Sequence, residues 1–500
     1  MEMQSKVPSE RVCVQGPGEV NSNGQFVLYW MISARRSRHN FSLERAVEWS
    51  RELGKPLVIL EALRSGYRWA SDRLHAFVIQ GMAENQRQFS KKRVTYYPYL
   101  ETENGQGRGL LAALAKQSCV VISDDFPCFF LPRMITAAAK QIPCRFELVD
   151  TNGVFPMRST DRVFSRAYDF RRFLQKNLLP HLAEFPTADP LRNSKLPVLN
   201  SIDSAITQRW PAAEPAKLVS DLTGLSRFDI DHSVGVSSIE GGSKAAQTRL
   251  TAFIEEHLPL YGQSRNEPER DVASGLSPYL HFGHISAHDV FDRICRSEQW
   301  TPDQVSEITK GSSRGWWNMS DAAESFLDEL ITWREVGYNM CALRNDFEQF
   351  DSLPDWARKT LEEHESDPRE HLYELGQFES ASTHDSLWNA AQWQLVSTGK
   401  MHNYLRMLWG KKILEWSPTP RDALDVMLEL NNKYALDGRN PNSYSGIFWV
   451  LGRYDRAWGP ERPVFGKIRF MSSANTARKL KVKRYIQQFT PGREGEPLLF

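Results

Sequence analysis

The sequence predicts an α/β domain followed by an all-α domain. In residues 25–180, short apolar runs alternate with stretches of helical periodicity, which is typical of a Rossmann-like parallel sheet covered by helices. Beyond Gly241 and Gly242 the strand signal disappears, and apolar residues recur at helical spacing. The chain has 500 residues, which is more than a single hydrophobic core usually organises, so at least two domains are expected.

Both ends of the chain are predicted to lie outside these domains. Residues 1–24 are polar and contain several glycines and asparagines, so we predict a flexible N-terminal arm. Residues 489–500 follow the last helical stretch and are predicted to form a C-terminal tail.

The first domain is predicted to contain strands at 26–31, 57–60, 93–97, 119–123 and 145–149, and helices at 43–53, 71–89, 109–116 and 132–140. The strand at 119–123 leads into Asp124 and Asp125, on the carboxyl edge where doubly wound sheets usually bind ligands. No Gly-x-Gly-x-x-Gly motif follows the first strand, so an ordinary dinucleotide site is not expected in this domain.

An interdomain linker is predicted at residues 181–240, where prolines punctuate a mainly polar stretch. The helical domain is predicted to span residues 241–488. Its clearest helical patterns lie at 244–258, 285–295, 320–343, 386–398, 401–416 and 420–430.

Composition excludes several classes of protein. Lys+Arg number 62 and Asp+Glu 61, so the chain as a whole has no polyelectrolyte character. The six cysteines are scattered, without metal-ligand spacing or paired motifs, which favours a reducing compartment. No run approaches the roughly 18 apolar residues of a membrane span, and no signal-like segment opens the chain, so a cytoplasmic protein is expected, or a nuclear one in a eukaryotic host.

The stretch at residues 400–416 combines large apolar residues with a central arginine. On a helix, Asn403, Arg406 and Met407 share one stripe, while Trp409 and Trp416 share another. The tryptophans alone are explained by a buried core helix. Arg406 needs either a carboxylate partner or an anionic ligand.

Two further motifs contain groups suited to binding. Ser277 precedes a proline at the start of a predicted helix, where free N–H groups can bind phosphate, although an ordinary capped helix start explains the same residues. Glu329 and Trp333 are four residues apart on one predicted helix face, which suits contact with a base edge and stacking on it; an exposed helix is the alternative.

Two regions nearer the C-terminus add charge. Asp437 lies in a turn after a helix and is a candidate partner for Arg406, although the turn alone also explains it. Residues 451–490 carry ten basic and two acidic side chains interleaved with aromatic residues. This pattern favours a nucleic-acid surface over a merely solvated face.

Five motifs, taken together, are similar to the class II DNA photolyases of the photolyase/cryptochrome superfamily. The resemblance covers nearly the whole chain from residue 26 and is most specific between 241 and 485. The motifs are Gly-Leu-Ser-Pro-Tyr-Leu-His-Phe-Gly-His-Ile-Ser (275–286), Glu-Leu-Ile-Thr-Trp-Arg-Glu (329–335), Lys-Met-His-Asn-Tyr-Leu-Arg-Met-Leu-Trp (400–409), Leu-Asn-Asn-Lys-Tyr-Ala-Leu-Asp-Gly-Arg-Asn-Pro-Asn (430–442) and Asp-Arg-Ala-Trp-Gly-Pro-Glu-Arg-Pro-Val-Phe-Gly-Lys-Ile-Arg-Phe-Met (455–471).

The resemblance implies an N-terminal antenna domain and a helical domain that binds FAD. It implies a carbon–carbon lyase that repairs cyclobutane pyrimidine dimers in UV-damaged DNA by light-driven electron transfer to a flipped-out lesion. A monomer without an obligate protein partner or a metal is expected. The residues that fall where this family binds FAD are Tyr261, Ser274, Gly275, Leu276, Ser277, Leu280, Arg334, Asn403, Arg406, Asn431, Asp437 and Gly438.

Within that set, the resemblance places the salt bridge of Arg406 and Asp437 against the flavin and Asn431 opposite flavin N5. It makes Trp388 and Trp409 an electron relay to the surface, with Trp416 as a possible branch. The residues implied for lesion and DNA binding are Glu329, Trp333, Met407, Trp449, Arg453 and Arg469.

The sequence departs from the family pattern mainly in the first 240 residues, at 32–40 and 154–170. The antenna pigment is therefore open: a deazaflavin is preferred, and no antenna is the alternative. Two other functions stay open, a cryptochrome-like blue-light photoreceptor and a photolyase for the 6-4 photoproduct. The set of lesion-binding residues argues against the first, and no histidine acid can be placed for the second.

Overall fold

The computed structural model describes residues 5–490 and begins with a six-stranded sheet whose order is β1-β6-β5-β2-β3-β4. Strands β2 to β6 pair in parallel, and β1 lies antiparallel to β6 at one edge. The order of β2 to β6 is that of a doubly wound sheet, as the sequence predicts. The strands are β1 (Val12–Gln15), β2 (Phe26–Met31), β3 (Leu57–Leu63), β4 (Thr95–Leu100), β5 (Ser118–Asp124) and β6 (Arg145–Val149).

Strand β1 corrects the prediction of a flexible arm over residues 1–24. Val12 pairs with Val149 and Gln15 with Phe146, so this part of the arm is an edge strand. Arg11, just before it, is buried and donates hydrogen bonds to the carbonyl oxygens of Gly153 (3.1 Å) and Val154 (2.7 Å). Residues 1–4 of the predicted arm, and residues 491–500 of the predicted tail, lie outside the described residues.

Helices cover both faces of the sheet, which explains the continuous apolar runs of its strands. Every residue of β2 is buried. Leu28 and Trp30 pack into the core on one face, while Val27 and Tyr29 pack into the core on the other. Such burial on both faces is usual for parallel sheets. The helices of this domain are α1 (Phe41–Leu53), α2 (Asp72–Phe89), α3 (Leu110–Lys116), α4 (Leu131–Ala139) and α5 (Ala167–Asn177).

The predicted linker at 181–240 contains two short helices, α6 (Ser204–Arg209) and α7 (Pro215–Ser220), and a 3₁₀ turn at Leu222–Arg227. Leu218 and Phe228 pack against side chains of α2. The linker therefore runs back over the first domain before it enters the second.

The rest of the described chain is helical, as predicted. Named strands do not occur between β6 and residue 490. The helices are α8 (Ser243–Ala252), α9 (Leu258–Ser264), α10 (Ser277–His281), α11 (Ala287–Ser297), α12 (Asp321–Leu327), α13 (Arg334–Leu343), α14 (Asp355–Glu363), α15 (Leu375–Glu379), α16 (Ser386–Thr398), α17 (Asn403–Trp416), α18 (Pro420–Tyr434), α19 (Pro441–Val450), α20 (Ser473–Lys479) and α21 (Lys483–Gln488).

Two of the predicted long helices are interrupted by π-helical turns. Phe253–His257 separates α8 from α9, and Asp328–Trp333 separates α12 from α13. A π turn has one residue more than an α turn and is frequent at functional sites. Its effect is to rotate the residues that follow around the helix axis, which matters for the cavity described below.

Buried hydrogen bonds join the helical domain to the α/β domain. Glu335 of α13 accepts hydrogen bonds from the backbone N–H groups of Val154 (2.7 Å) and Phe155 (3.1 Å). Arg36 donates to the carbonyl oxygen of Gly283 at 3.0 Å.

The six cysteines are free thiols. Among residues 5–490, a helix with the length and hydropathy to cross a membrane is not found.

Candidate functional site

A cavity of about 370 Å³ lies in the helical domain. It is formed by the loop before α10, the π turn with α13, the start of α17 and the turn after α18. Of the twelve residues implied for the cofactor, those that line it are Tyr261, Ser274, Gly275, Ser277, Leu280, Arg334, Asn403, Arg406 and Asp437.

Three of the implied cofactor residues, Leu276, Asn431 and Gly438, are not among the residues that line the cavity. Leu276 is buried in the core beside the cavity wall. The Asn431 side-chain amide donates to the hydroxyl of Ser443 at 2.6 Å. The Leu276 side chain therefore packs in the core, and the Asn431 side-chain amide uses one N–H to bond the neighbouring helix α19.

Arg406 and Asp437 form the ion pair that the sequence predicts. The guanidinium donates to both carboxylate oxygens, at 3.0 Å and 3.3 Å, from the first turn of α17 to the turn after α18. Burial raises the pKa of Asp437, but the charge and hydrogen bonds of Arg406 and the hydroxyl of Ser277 outweigh it, so the net pKa lies below its ordinary value. The pair is thus a fixed, ionised feature of the cavity wall.

Ser277 has a protein partner within the cavity. Its hydroxyl donates to Asp437 at 2.8 Å and so helps to orient the carboxylate. The loop beside it is held by Arg249, which donates to the carbonyl oxygens of Ser274 (2.7 Å) and Ala273 (2.5 Å). Gly275 has a φ of +65°, and a Cβ there would lie 2.7 Å from Arg249. Glycine lets this backbone line the cavity closely.

Arg334 contributes a buried charge with spare hydrogen-bonding capacity. Its Nη2 donates to the hydroxyl of Tyr338 at 3.1 Å, and its Nη1 has no protein partner among the described residues. His281 also lines the cavity, and its buried Nδ1 likewise has no hydrogen-bond partner among the described residues. Because buried donors of this kind are nearly always satisfied, these atoms suit acceptors and donors on a bound ligand.

Sequence reasoning missed a second ion pair in the cavity. Lys400 and Asp271 lie 2.6 Å apart and both line it. Burial raises the pKa of Asp271, yet Lys400 lowers it further, so the carboxyl is held ionised. His402 lies beside them, and burial lowers its pKa to about 4. The two members of the pair are 129 positions apart in the chain, so no local motif signals it.

A second pocket, of about 440 Å³, lies against the other side of α17. Successive residues of an α-helix point about 100° apart, so Arg406 lines the first cavity while Met407 lines this pocket. The pocket is walled by aromatic and basic side chains, among them Tyr404, Trp449, Trp458, Arg462, Arg469 and Lys479.

Arg469 organises the wall of this second pocket. It donates two hydrogen bonds to Asp455, at 2.7 Å and 3.0 Å, and its guanidinium lies 4.0 Å from the ring centroid of Trp458. It also lies 5.6 Å from the ring of Trp449. The interleaving of basic and aromatic residues seen in the sequence is therefore a real surface at this point.

Arg453 corrects the prediction of a DNA contact. It is 1% exposed, donates to the carbonyl oxygen of Phe347 at 2.9 Å and to the hydroxyl of Ser352, and its guanidinium lies 3.8 Å from the Phe448 ring. A guanidinium enclosed in this way cannot reach a phosphate. The charge count of the sequence could not distinguish it from its exposed neighbours.

Glu329 and Trp333 do not share the cavity, although the helical spacing predicted one face for both. Glu329 lines it and pairs with Arg265 at 2.8 Å, whereas Trp333 is half-buried and is not among the lining residues. The π turn adds a residue, so Arg334 takes the place beside Glu329. Burial raises the pKa of Glu329, and Arg265 only partly offsets this.

The three predicted relay tryptophans lie where α16, which contains Trp388, packs on α17, which contains Trp409 and Trp416. Trp388 donates its indole N–H to the carbonyl oxygen of Trp409 at 3.0 Å, and its ring centroid is 5.9 Å from that of Trp416. The Trp416 ring packs against two further rings. Its centroid lies 5.7 Å from that of the half-buried Tyr373 and 4.9 Å from that of the exposed His384. Ring contacts thus run from the buried Trp388 through Trp416 to Tyr373 and His384, while Trp409 joins this group through its backbone carbonyl.

A third cavity, of about 430 Å³, lies at the carboxyl edge of the sheet. The edge is the one predicted to bind a ligand, but Asp124 is not available there, because it accepts N–H groups from Ile32, Ser33 and Ala34 at 2.8–2.9 Å. The walls are aromatic, with a few charges: Trp30, Tyr67, Phe126, Phe129, Phe130, Arg35, Arg64, Glu101 and Arg439. His281 lines both this cavity and the one in the helical domain.

Comparison with characterised proteins gives full-length relatives. The chain is 32% identical over 485 residues to the deoxyribodipyrimidine photo-lyase of Methanothermobacter thermautotrophicus, covering 96% of this chain and 98% of the relative. It is 31% identical over 481 residues to the deoxyribodipyrimidine photo-lyase of Potorous tridactylus, covering 94% and 82%. No family model matches the sequence.

Solved structures with the same fold include a class III photolyase from Agrobacterium tumefaciens, with a TM-score of 0.62 and 16% identity over 93% of this chain and 86% of that one. A cryptochrome from Synechocystis gives a TM-score of 0.62 and 15% identity over 93% and 88%. At these identities the likeness establishes the fold alone, an α/β domain followed by a helical domain.

Proposed function

We propose that this chain, which belongs to the deoxyribodipyrimidine photo-lyase family, repairs cyclobutane pyrimidine dimers in DNA in a light-dependent reaction. The observation that carries the proposal is that two adjacent residues of α17 line two different pockets. Arg406 lines a buried cavity suited to a cofactor, and the next residue, Met407, lines an aromatic and basic pocket suited to a damaged nucleotide. The two partners of the proposed electron transfer would therefore lie on different sides of the same helix.

The residues of the cavity fit flavin adenine dinucleotide. The buried Arg334 Nη1 lacks an acceptor, the Arg406–Asp437 pair offers a fixed charge, and the backbone at Gly275 allows close approach. When bound and reduced, FAD supplies the light-excited electron that the reaction needs. Arg406 would hold negative charge near the ring system, and Asp437, kept ionised, would hold Arg406 in place. Asn431 remains the proposed contact to the flavin ring.

The second pocket would receive the dimer after it leaves the duplex. Flipping a lesion costs a few kcal/mol, and stacking on aromatic side chains returns about 1–3 kcal/mol per base. Trp449 supplies such a surface, Met407 supplies apolar contact, and Arg469 supplies a charge for the DNA backbone. Glu329 lines the neighbouring cofactor cavity, where Arg265 occupies one of its oxygens; we propose that the second oxygen accepts an N–H from a pyrimidine edge that extends into that cavity. We propose that Trp333, which lines neither pocket, also contacts the bound dimer.

Trp409, Trp388 and Trp416 would return the cofactor to its reduced state. Their burial keeps the indoles in fixed positions, at 0–2% exposure. The contacts of Trp416 with Tyr373 and His384 carry the path to the protein surface. Such a relay is needed only when the cofactor has been oxidised.

The aromatic cavity of the α/β domain would hold an antenna pigment. Planar rings stack well on Trp30, Tyr67 and Phe129. The half-exposed Arg64, only loosely paired with Glu101 at 3.9 Å, offers a positive charge for an anionic pigment, whereas Arg35 is paired with Glu61 at 3.0 Å. A deazaflavin meets this description, and it is the pigment we propose. Extraction and identification of the chromophores of the purified protein tests the choice.

We also propose a monomer of the cytoplasm, or of the nucleus in a eukaryotic host. The six free cysteines support a reducing compartment. Size-exclusion chromatography with light scattering tests the monomer, and fractionation of the host cell tests the compartment.

The test of the main proposal is repair of an oligonucleotide that contains a single thymine dimer. The purified, reduced protein should restore it under blue or near-UV light and leave it unchanged in darkness. Equal restoration in darkness, or purified protein without FAD, contradicts the proposal. A parallel oligonucleotide with a 6-4 photoproduct should remain unrepaired; preferential repair of that lesion would assign the other photolyase activity. Flavin photochemistry without repair of either lesion would indicate a photoreceptor.

A further inference from the structure

Lys411 is a fully buried lysine directly behind the second pocket. It lies on α17, one turn after Met407, and is 0% exposed. Its ammonium donates to the carbonyl oxygen of Val450 at 2.5 Å and lies 4.9 Å from the ring centroid of Trp449. Lys411 is not among the residues that line the pocket, whereas Trp449, which it contacts, is.

Packing does not explain a charge at this position. Within residues 5–490, Lys411 has no carboxylate in salt-bridge distance, whereas its neighbour Lys412 pairs with Glu415 at 2.6 Å. A buried ammonium without a paired carboxylate is costly. The carbonyl of Val450 at the end of α19 offsets part of this cost through the helix dipole, but a neutral donor would make the same hydrogen bond.

The surroundings of Trp449 suggest what the charge does. Two cations lie near the indole, since Arg469 is 5.6 Å from the ring centroid and Lys411 is 4.9 Å from it. A nucleobase stacked on Trp449 would therefore sit over a wall with positive charge behind it. In a low-dielectric site, a fixed charge at such a distance acts strongly on charge that develops in the substrate.

We propose that Lys411 is a positioning residue of the dimer pocket: it holds Trp449 in place, and its charge stabilises the dimer while the dimer carries an extra electron. The inference rests on the function proposed above. The dimer gains one electron, its two cyclobutane carbon–carbon bonds break, and the same electron leaves the products. Lys411 exchanges neither a proton nor an electron in this sequence.

The charge of Lys411 is sensitive to pH. Burial lowers the pKa of Lys411 to about 7, while Asp455 raises it and Arg469 lowers it. Because a lysine is charged below its pKa, the stabilising charge is present below neutral pH and is lost as the pH rises above it. The efficiency of dimer splitting should therefore fall between about pH 6 and pH 8.5.

The experiment compares wild type, Lys411→Met, Lys411→Arg and the control Lys412→Met, all reduced chemically so that the tryptophan relay is not required. Two quantities are measured across pH 6–8.5: the yield of dimer splitting per absorbed photon at saturating substrate, and the affinity for the dimer oligonucleotide in darkness. Lys411→Met should lower the yield about threefold to tenfold at pH 6 and make it independent of pH. Lys411→Arg, which stays charged, should keep a high yield at every pH.

Two results would overturn the inference. One is a Lys411→Met protein with the yield and pH profile of the wild type. The other is a Lys411→Arg protein whose yield falls with pH as in the wild type, and this test still decides if the methionine variant does not fold. Lys412→Met should match the wild type in both measurements. If the wild type itself fails to split dimers in light, the proposed function fails, which is a result distinct from an unaffected Lys411 variant.

Discussion

Trp388 donates its indole N–H to the backbone carbonyl oxygen of Trp409 at 3.0 Å. The bond joins α16 to α17 inside the core, where both side chains are buried. The Trp409 indole N–H in turn donates to the side chain of Gln392, also on α16, at 2.8 Å. Both indoles are therefore anchored by hydrogen bonds between α16 and α17.

Trp388→Phe should slow photoreduction of the bound flavin by about tenfold or more, because phenylalanine is much harder to oxidise than tryptophan. Repair by enzyme that has been reduced beforehand should remain nearly intact. Flavin absorbance under illumination gives the first quantity and a dimer assay the second. Trp393→Phe, on the same helix but outside the relay, serves as control. Loss of both activities in Trp388→Phe would contradict the relay role.

Asp437→Asn should weaken retention of FAD by about tenfold, because Arg406 loses a charged partner with two hydrogen bonds. The measurement is the flavin fraction that remains after dialysis, together with the dissociation constant from fluorescence. Asp425→Asn, an exposed change on α18, should leave retention unaltered. Unchanged affinity in Asp437→Asn would separate the ion pair from the cofactor.

Trp449→Ala should reduce affinity for a dimer oligonucleotide by about tenfold to a hundredfold, the range that loss of one stacking surface produces. FAD content should stay at the wild-type value, because Trp449 is outside the cofactor cavity. Affinity for undamaged DNA of the same sequence should change little. An equal loss for both DNAs would show that Trp449 acts through general DNA binding.

Arg453→Met should destabilise the protein by about 2–4 kcal/mol, because it leaves buried acceptors at Phe347 and Ser352 without their donor. It should have little effect on DNA affinity at a temperature where the protein is folded. Arg469→Met should do the reverse, with weaker DNA binding and a smaller change in Tm. Thermal unfolding and a salt titration of DNA binding separate the two effects.

The stability of wild type relative to Lys411→Met should rise between pH 7 and pH 9. The pKa of Lys411 falls from 10.5 to about 7 on folding, so in this range the unfolded chain binds one more proton than the folded chain. A higher pH then favours the folded state by up to about 1.4 kcal/mol per pH unit. The Tm of wild type minus the Tm of Lys411→Met should therefore increase as the pH rises across this range. A constant value would show that Lys411 does not titrate there.

Local pattern was sufficient for much of the fold. Strands β2 and β6 and helix α16 begin and end at the predicted residues, because their apolar periodicity is complete over the whole element. The sequence predicts residues 12–15 as part of a flexible arm because the short apolar run is surrounded by polar residues, glycines and asparagines. The pairing of this run with β6 comes from backbone hydrogen bonds that side-chain patterns do not reveal.

In the site, too, some features follow from local sequence motifs and others appear only in the folded structure. Motifs placed Ser277, Arg334, Arg406 and Asp437, and the family resemblance added Tyr261; all five line the cavity. The π turn at Asp328–Trp333 forms only in the folded protein. Because of it, Arg334 rather than Trp333 lines the cavity together with Glu329. No pattern in the sequence announces such a turn.

The sequence by itself determined the order of the two domains, the class of each, and the motifs that surround the cofactor cavity, because these depend on residues close together in the chain. Only the tertiary structure decided which charges of the C-terminal half are free. Arg453, Arg469 and Lys411 look alike in sequence. Arg453 is enclosed by the Phe347 carbonyl, the Ser352 hydroxyl and the Phe448 ring, Arg469 lines a pocket, and Lys411 is buried beside that pocket. The physical reason is that burial and pairing of a charge depend on helices brought together from distant parts of the chain.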